Sequence, residues 1–357
     1  MITEEHVQVT AIKEMTEDVL KLETNGGIGR ALLYRKLHPD VTTGDWVIIN
    51  TTATQLNLGT GGWDIVRAVI NKTTQESAIK EKHGHIMKNR YLSDQHSVMA
   101  VESEESPTHH LFKKKLNLKD QTVFLCELHS MLPIIWYLLK IKSEHKPLAV
   151  IFSDEASLPL SMSNHLARLK KEPLFFSITT GQSFGGNKES INVVTSLQYI
   201  MEMFADPFIL ITLGPGVVGT GTHYGFSSIS QANWANVVGA LGGTPVWIPR
   251  LSAVDQRERH QGISHHTMTP LIELTLTNSI LPLPKGEYAE KYIRAHIDLL
   301  RKYPHIKITT VDEKLLFPLL EIVQRASPFP LTTMGRTIDK DPLFFLGVAA
   351  AVCTFLE

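Results

Sequence analysis

The sequence predicts an α/β protein whose mostly parallel sheet carries helices on both faces, in a Rossmann-like arrangement, after a small β-rich, barrel-like N-terminal domain. Three observations support this prediction. The chain has 357 residues, which is enough for two domains of typical size. Short strand-like segments separated by turn residues fill residues 1–100, and continuous apolar runs alternate with helix-length segments across residues 122–357. Residues 101–121 join the two regions as a connector.

The N-terminal region carries four short segments rich in β-branched and aromatic residues: VQVTAIKE, DVLKLET, GRALLYRKL and GDWVIINTT. Turn residues separate them, as at 25–27 and 43–45. Four or more short strands at such close spacing are typical of a small barrel or sandwich. Residues 57–62 indicate a further hairpin turn. The motif His83-Gly84-His85 indicates either a flexible loop or extra metal ligands.

Six apolar runs in the C-terminal region predict buried strands: residues 122–128, 148–154, 174–180, 208–213, 244–249 and 307–312. Helix-length segments lie between them, and the apolar run 341–356 predicts a final core helix. Buried strands joined by helices predict a mostly parallel sheet that is covered on both faces. Such connections are right-handed, so the loops that leave the carboxyl ends of the strands gather at one edge of the sheet.

The composition argues against several classes of function. The net charge is −1, so we expect no basic surface for nucleic acid or anionic membranes. The most apolar helical run, residues 131–139, is far shorter than the ~20 residues that span a bilayer. The first residues do not resemble a signal peptide, and Cys126 and Cys353 indicate buried free thiols. We therefore expect a cytoplasmic protein without nucleic-acid or membrane partners, and the sequence leaves a homo-oligomer open.

The loops after the predicted strands are the expected ligand-binding region, because open α/β sheets bind ligands outside the carboxyl ends of their strands. Five consecutive strands are followed by polar loops, which contain Glu127 and His129, Asp154 and Glu155, residues 179–187, residues 213–226 and residues 250–260. Their convergence predicts one shared site. Ser183 also matches the GxSxG spacing of a nucleophile elbow, but no obvious helix follows it as that motif requires.

The segment DQRERHQGISHH, residues 255–266, is the densest of these loops in titratable groups. Four candidate catalytic residues lie in this segment: Asp255, Glu258, His260 and His265. A fifth candidate, His129, lies in an earlier loop. A histidine paired with a carboxylate is suited to proton transfer near neutral pH.

Two other interpretations of this segment stay open. A divalent metal could be held by His260, His265 and His266, although adjacent side chains of an extended chain point to opposite faces. The segment could instead be an exposed loop in which Glu258 pairs with an arginine. The candidate cations for an anionic ligand are Arg257 and Arg259 here and Arg336 before the last predicted helix.

A glycine-rich loop after the predicted strand 208–213 has the GxGxxG spacing of a dinucleotide-binding turn. Its predicted ligand-binding residues are Gly214, Gly216, Gly219, Thr220, Gly221 and Thr222. A classical NAD site is disfavoured, because Pro215 removes an amide, no helix begins at the third glycine and no acidic residue ends the next strand. The amides and hydroxyls suit an anionic group better. The alternative is a turn that needs glycine for tight packing.

Seven motifs together resemble one known family: NTTATQLNLGTGG, GHIMKNRY, ELHSMLP, GQSFGGN, LGPGVVGTGTHYGFS, DQRERHQGISHHT and TTMGRTIDKDP. This family is bacterial, uncharacterised and known only as a domain of unknown function. The resemblance spans nearly the whole chain. It implies no activity, substrate or catalytic residue.

The sequence supports two hypotheses about function. In the first, the protein is an enzyme, a hydrolase or group transferase, that acts on a small anionic metabolite or nucleotide at the carboxyl ends of the parallel strands. Its cofactor stays unknown, with a divalent metal open. In the second, the protein is a non-catalytic ligand sensor or adaptor. The density of groups able to transfer protons favours the enzyme.

Overall fold

The structure is a computed structural model that describes residues 2–58, 61–72 and 84–356. The chain divides into two compact units, one of residues 1–99 with 161–164 and one of residues 100–160 with 165–357. The motif at 83–85 and the turn at 57–62 both lie partly outside the described residues. Within the described ranges, no helix combines the length and apolarity needed to cross a membrane.

The first unit is built on a closed five-stranded barrel with the strand order β1-β2-β3-β5-β4. Its strands are β1 (Glu4–Met15), β2 (Val19–Thr24), β3 (Arg30–Tyr34), β4 (Trp46–Asn50) and β5 (Asp64–Val69), with the short helix α1 (Thr52–Gln55) before β5. A two-stranded hairpin of β6 (Ile86–Lys88) and β7 (His96–Val98) follows. Alternate residues such as Val7 and Val9, or Leu20 and Leu22, form the apolar interior. The predicted barrel is confirmed.

The turn between β2 and β3 shows why the barrel needs glycine. Gly27 has a φ of +60°, and a Cβ at this position would lie 2.2 Å from Asp64 Oδ2. The buried Asp64 carboxylate accepts hydrogen bonds from the Ile28 amide at 2.8 Å and from the Thr54 hydroxyl. A side chain at residue 27 would therefore be strained and would displace the carboxylate that joins the turn to the start of β5.

The second unit is an eight-stranded parallel sheet with helices on both faces. Its sheet strands are β8 (Thr122–Cys126), β9 (Leu148–Ser153), β10 (Phe175–Thr179), β11 (Lys188–Glu189), β12 (Phe208–Leu213), β13 (Thr244–Ile248), β16 (Ser279–Lys285) and β17 (Ile306–Asp312). The spatial order is β11-β10-β9-β12-β8-β13-β16-β17. The hairpin of β14 (Leu251–Ser252) and β15 (Gly262–Ile263) lies between β13 and β16 in sequence. This arrangement confirms the predicted fold class.

Eight helices accompany this sheet: α2 (Leu132–Lys142), α3 (Asn164–Leu169), α4 (Val193–Met203), α5 (Gln231–Ala240), α6 (His265–Thr269), α7 (Glu287–Leu300), α8 (Glu313–Ala326) and α9 (Pro342–Cys353). Alternate residues of each strand face opposite sides, as with Phe124 and Leu125 of β8. Helices α2, α8 and α9 cover one face of the sheet, and α4, α5 and α7 cover the other. Each face buries its own apolar core.

The elements that could not be predicted from sequence contain proline or are very short. Strand β16 contains Pro282 and Pro284. Among the described residues, β16 pairs with β13 at one position, where Ile280 lies opposite Val246. The prolines therefore lie beyond the part of β16 that pairs with β13. Helix α8 contains Pro318, which disrupts the helical pattern in the sequence. The helix-length segment between the predicted strands 148–154 and 174–180, residues 158–171, forms only the short helix α3 after one 3-10 turn.

Candidate functional site

The candidate site lies where two neighbouring strands of the sheet end. In the parallel pair β8 and β13, Ile248 lies opposite Cys126. The chain that leaves β8 continues into α2 on one face, whereas the chain that leaves β13 places Met268 and Leu271 in the core of the other face. Connections that diverge in this way open a crevice at the carboxyl ends of the two strands, the usual ligand site of open α/β sheets. Glu127 directly follows β8, and Arg250 follows β13.

Glu127 is the central buried charge of this crevice. Its Oε1 accepts hydrogen bonds from Arg250 Nη1 at 2.8 Å and from His266 Nδ1 at 2.6 Å. All three side chains are buried, and Glu127 is only 1% exposed. Burial by itself would raise the pKa of Glu127, but the charge of Arg250 and the hydrogen bond from His266 outweigh it and lower the pKa to about 2. The carboxylate is therefore ionised near neutral pH.

The ionised carboxylate determines which nitrogen of His266 carries the proton. A carboxylate only accepts hydrogen bonds, so His266 Nδ1 must be protonated and must donate to Glu127. Because Nδ1 is a donor, its 3.3 Å approach to Arg250 Nη1 is a close contact rather than a hydrogen bond. In the neutral ring, the lone pair then lies on Nε2.

Three imidazole rings meet beside Glu127. The ring centroids of His265 and His266 are 4.4 Å apart, those of His260 and His266 are 4.8 Å apart, and those of His260 and His265 are 5.1 Å apart. The chain is not extended here, because His265 and His266 begin helix α6, and Ser264 caps the helix by accepting from the His266 amide at 3.2 Å. Successive helical side chains diverge by only about 100°. The adjacent histidines therefore reach the same cluster, contrary to the expectation for an extended chain.

The cluster holds His260 and His265 as neutral rings. Burial, with a further contribution from the charges of Arg250 and Arg257, lowers the pKa of His260 to about 3. Burial, together with His266 and Arg259, lowers the pKa of His265 to about 4. Near pH 7 both rings therefore offer nitrogen lone pairs.

The geometry of the nitrogen atoms allows for a metal ion. One ring nitrogen from each of His260, His265 and His266 lies within 4.8 Å of the other two. His260 Nδ1 is 2.7 Å from the Ser264 hydroxyl. The Nε2 atom of His265 is buried and has no hydrogen-bond partner in the part of the chain that the structure describes. These three side chains are the predicted metal ligands, and the structure brings them together.

The glycine-rich loop after β12 forms one side of the cluster. The ring of Phe226 stacks on His266 with centroids 4.1 Å apart and planes at 9°. A Cβ built on Gly219 would lie 3.3 Å from both Nε2 and Cε1 of His266. The absence of a side chain at Gly219 therefore lets the loop approach this edge of the His266 ring closely. Phe226 was not predicted from sequence, where nothing distinguishes it from a core residue.

The same loop folds as a hairpin rather than as the start of a helix. Gly219 bridges to Phe226, and helix α5 begins only at Gln231 after a 3-10 turn. The Thr220 hydroxyl donates to the Gly225 carbonyl at 3.0 Å, and the Thr222 hydroxyl accepts from the Gly225 amide at 3.1 Å. The two threonine hydroxyls thus serve the hairpin itself.

The other glycines of the loop have different positions. A Cβ on Gly214 would lie 2.9 Å from the Ser157 carbonyl oxygen, whereas Gly216 and Gly221 have positive φ angles of +84° and +76°. A Cβ on Gly221 would lie 3.6 Å from Arg259 Nη2, so this guanidinium lies beside the loop. Arg259 is exposed and forms no ion pair within the described residues. It is the candidate cation best placed to meet a ligand.

A second polar network lies next to the histidines. Asp255 accepts from Arg257 Nε and Nη2, both at 3.0 Å, and its Oδ2 lies 3.7 Å from Arg336 Nη2. The hydrogen bonds from Arg257 are the main cause that lowers the pKa of Asp255 far below its usual value. Arg336 Nε also donates to Asp341 at 3.1 Å. The predicted residues Asp255, Arg257 and Arg336 thus form ion pairs with one another and with Asp341.

The remaining predicted catalytic residues have different surroundings. Glu258 is exposed and makes no ion pair within the described ranges. The ring of His129 lies 6.5 Å from that of His165. Ser183 is buried and donates to the Leu158 carbonyl at 3.2 Å.

Glu127 and Arg250 lie in the polar loops that the sequence predicted to converge, but neither was among the candidate catalytic or ligand-binding residues chosen from those loops. One pattern points to both, since each is a charged residue at the end of a continuous apolar strand. Such a charge at the edge of a buried sheet needs a partner, and here the two residues are partners of each other.

The fold and the crevice define the class of this protein: an α/β protein with an all-parallel sheet and an imidazole–carboxylate cluster at the switch point of its strands. The chain belongs to the family described as protein of unknown function, DUF3866, whose model matches residues 30–352. The family resemblance indicated by the seven sequence motifs is confirmed. No curated protein and no solved structure matches the chain.

Proposed function

We propose that this protein is an enzyme that catalyses hydrolysis or group transfer on a small anionic substrate in the crevice between the ends of β8 and β13. The observation that carries the proposal is the buried Glu127–His266 pair, with a nitrogen-to-oxygen distance of 2.6 Å, next to two further imidazoles. A carboxylate that fixes the tautomer and orientation of a histidine is a recurrent catalytic arrangement. Merely structural histidines have no need of such a cluster.

The preference for an anionic substrate depends on Arg259. This exposed guanidinium lies beside Gly221 at the edge of the cluster, and no carboxylate of the described residues neutralises it. Its planar donors match a phosphate or carboxylate group. The neighbouring Arg257 and Arg336 already bind Asp255 and Asp341, so they stabilise the loop more than they attract a ligand.

A cytoplasmic location is part of the proposal. Cys126 and Cys353 are both free thiols, and Cys126 is fully buried in the sheet. Proteins of reducing compartments usually keep their cysteines in this state.

The test is a substrate panel on the purified full chain. Inorganic phosphate, nucleoside mono-, di- and triphosphates, phosphorylated sugars and short carboxylates are first screened for a rise in melting temperature, because a ligand that binds the native state stabilises it. The compounds that stabilise the protein, and chromogenic phosphate and carboxylate esters, are then assayed for turnover. We expect turnover of at least one phosphoryl or acyl compound.

Arg259→Gln should raise KM for that substrate by about 10-fold, equivalent to roughly 1.4 kcal/mol for one charge-assisted contact. The control is Arg325→Gln, because Arg325 is 79% exposed and lies on helix α8, where it pairs with Glu321. Saturable binding of an anion without any turnover would favour the ligand sensor instead. The absence of both binding and turnover across the panel would refute the enzyme proposal.

A further inference from the structure

The three clustered histidines have the properties of a metal site that is already oriented. His266 donates its Nδ1 proton to Glu127, so its Nε2 lone pair points away from the carboxylate. This carboxylate–histidine arrangement is the one by which proteins orient histidine ligands to metals. The Ser264 hydroxyl, 2.7 Å from His260 Nδ1, can accept the proton of that ring in the same way and leave Nε2 free.

The most direct support for a bound ligand is the environment of the His265 ring. Its Nε2 atom is buried, and no group among the described residues hydrogen-bonds to it. An unpartnered buried nitrogen costs free energy, so a ligand that binds this atom would recover that cost. One ring nitrogen each of His260, His265 and His266 lies within 4.8 Å of the other two. An electron-pair acceptor is the ligand that three such lone pairs share most readily.

We propose that His260, His265 and His266 bind one divalent transition-metal ion of the zinc class, with Glu127 as the positioning residue behind His266. Neutral imidazole is a preferred ligand of zinc, cobalt, nickel and copper, whereas magnesium and calcium prefer oxygen. Three histidines with one open position form a known catalytic zinc geometry. The catalytic part of this inference rests on the proposed function, whereas the binding of the metal does not.

The cluster needs only a modest contraction to bind the ion. At a zinc–nitrogen distance of roughly 2.1 Å, tetrahedral ligand atoms lie about 3.4 Å apart. The present separations of up to 4.8 Å therefore close by at most about 1.4 Å, a distance within reach of small ring rotations. Gly219 adds no side chain beside His266 Nε2, where a Cβ would lie 3.3 Å away.

In the proposed hydrolysis, the open position would bind water. The metal lowers the pKa of that water to about 7, and the water releases a proton to solvent. The resulting hydroxide oxygen forms a bond to the phosphorus or carbonyl carbon of the substrate. The bond to the leaving group then breaks, and the leaving group takes a proton from solvent. The step is redox-neutral and needs no co-reactant besides water.

The experiment measures metal binding directly on the full chain. The protein is stripped with a chelator and then titrated with Zn²⁺ and, separately, with Co²⁺. Metal content is measured by mass spectrometry, and the d–d absorption of Co²⁺ reports the coordination geometry. We expect one metal per chain and an intense, tetrahedral type of Co²⁺ spectrum. Less than one tenth of an equivalent after Zn²⁺ loading, with no Co²⁺ spectrum, would overturn the proposal.

The variants assign the ligands. Each of His260→Ala, His265→Ala and His266→Ala should abolish stoichiometric binding. Glu127→Gln should retain the site but weaken its affinity by about 10- to 100-fold, as expected for a partner behind a ligand. His145→Ala is the control, because His145 is an exposed histidine. Unchanged stoichiometry in all three alanine variants would place the metal elsewhere and refute the ligand assignment. Circular dichroism of each variant reports its fold, and the wild-type titration decides the outcome if a variant does not fold.

The metal proposal and the function proposal can fail separately. Turnover by the chelated protein at the rate of the metal-loaded protein would refute a catalytic metal and leave the enzyme proposal intact. One bound metal without turnover of any panel compound would support the metal site and contradict the enzyme.

Discussion

Two polar networks with buried carboxylates lie at the same edge of the sheet, and they differ in how completely their buried polar atoms are hydrogen-bonded. In the network of Asp255, Arg257, Arg336 and Asp341, both oxygens of each carboxylate have partners, and Asp341 also accepts from the Ser252 hydroxyl and the Ala253 amide. In the network of Glu127, Arg250 and the histidines, Glu127 Oε2 and His265 Nε2 have no hydrogen-bond partner within the described residues.

This difference indicates different roles. A satisfied network stabilises the loop that carries it, because its buried charges are compensated within the protein. A network that contains buried polar atoms without hydrogen-bond partners contributes less to stability, and those atoms are available to bind a ligand. The comparison therefore predicts that the Asp341 network controls stability and that the Glu127 network controls binding and chemistry.

The largest expected effect is on stability and comes from the satisfied network. Asp341→Ala removes a fully buried carboxylate and leaves Arg336 Nε, the Ser252 hydroxyl and the Ala253 amide without their acceptor. Breaking a buried ion pair from one side should lower the free energy of unfolding by roughly 3 kcal/mol. Urea denaturation measures this change, and the folded variant should still bind one equivalent of Zn²⁺.

Asp339→Ala is the matched control, because Asp339 is exposed in the same loop and accepts from Thr337. It should change the free energy of unfolding by less than about 1 kcal/mol. Loss of the metal in folded Asp341→Ala would contradict the division of roles between the two networks.

The second effect is on catalysis and comes from the open network. Glu127→Gln keeps an oxygen that can accept from His266 but removes the negative charge that faces Arg250. We expect kcat/KM for the substrate found in the panel to fall by roughly 100-fold, the lower end of the contribution of acid–base groups. Steady-state kinetics at saturating Zn²⁺ measures it, so that weaker metal binding does not contribute. Glu321→Gln, on the exposed face of α8, is the control, and an equal loss in both variants would argue against a specific role.

The third effect tests the close approach of Gly219 to the His266 ring. Gly219→Ala places a methyl group 3.3 Å from His266 Nε2 and Cε1, next to the proposed ligand atom. Overpacking of this kind costs about 1–3 kcal/mol, so we expect about a 5- to 150-fold loss of Zn²⁺ affinity with the fold retained. Competition with a chromophoric chelator measures the affinity. Val218→Ala, at an exposed neighbouring residue, is the control. Equal affinities in Gly219→Ala and wild type would mean that the metal does not approach from this side.

Most of the fold could be predicted from sequence because its patterns are local. Strand-like segments with close turns predicted the barrel, and continuous apolar runs predicted the parallel sheet. The missed elements have local causes too, since Pro282 and Pro284 obscure β16 and Pro318 obscures α8. Helix α3 is shorter than the helix-length segment 158–171, because the ends of short helices are poorly defined.

The site could be predicted only in part, because its contacts are not local. The segment 255–266 was identified from its own composition, but Glu127 and His266 are 139 residues apart in sequence. Their contact requires β8 and β13 to be neighbours, and strand order is not encoded in any single segment. The argument that adjacent histidines diverge applies to an extended chain, and it does not apply to His265 and His266 because the Ser264 cap begins a helix there.

The smallest effect concerns His129, a partly buried histidine that belongs to neither network. His129 lies next to His165, and Arg168 is the cation that acts on His165. Burial, with a smaller contribution from His165, lowers the pKa of His129 from 6.5 to about 4. Between these two values the unfolded chain binds more protons than the native protein, so stability falls as the pH drops from 6.5 toward 4. His129→Gln removes this titration. Between pH 6.5 and 4, the free energy of unfolding of the variant should therefore fall by roughly 1–2 kcal/mol less than that of wild type. The difference is this small because the ring of His129 is partly solvated. Urea denaturation across the interval measures the slopes, with the exposed His145→Gln as control. If the free energy of unfolding changed equally with pH in wild type and His129→Gln, burial of the His129 ring would not destabilise its protonated form. That result would also weaken the argument that the buried His265 Nε2 costs free energy without a partner.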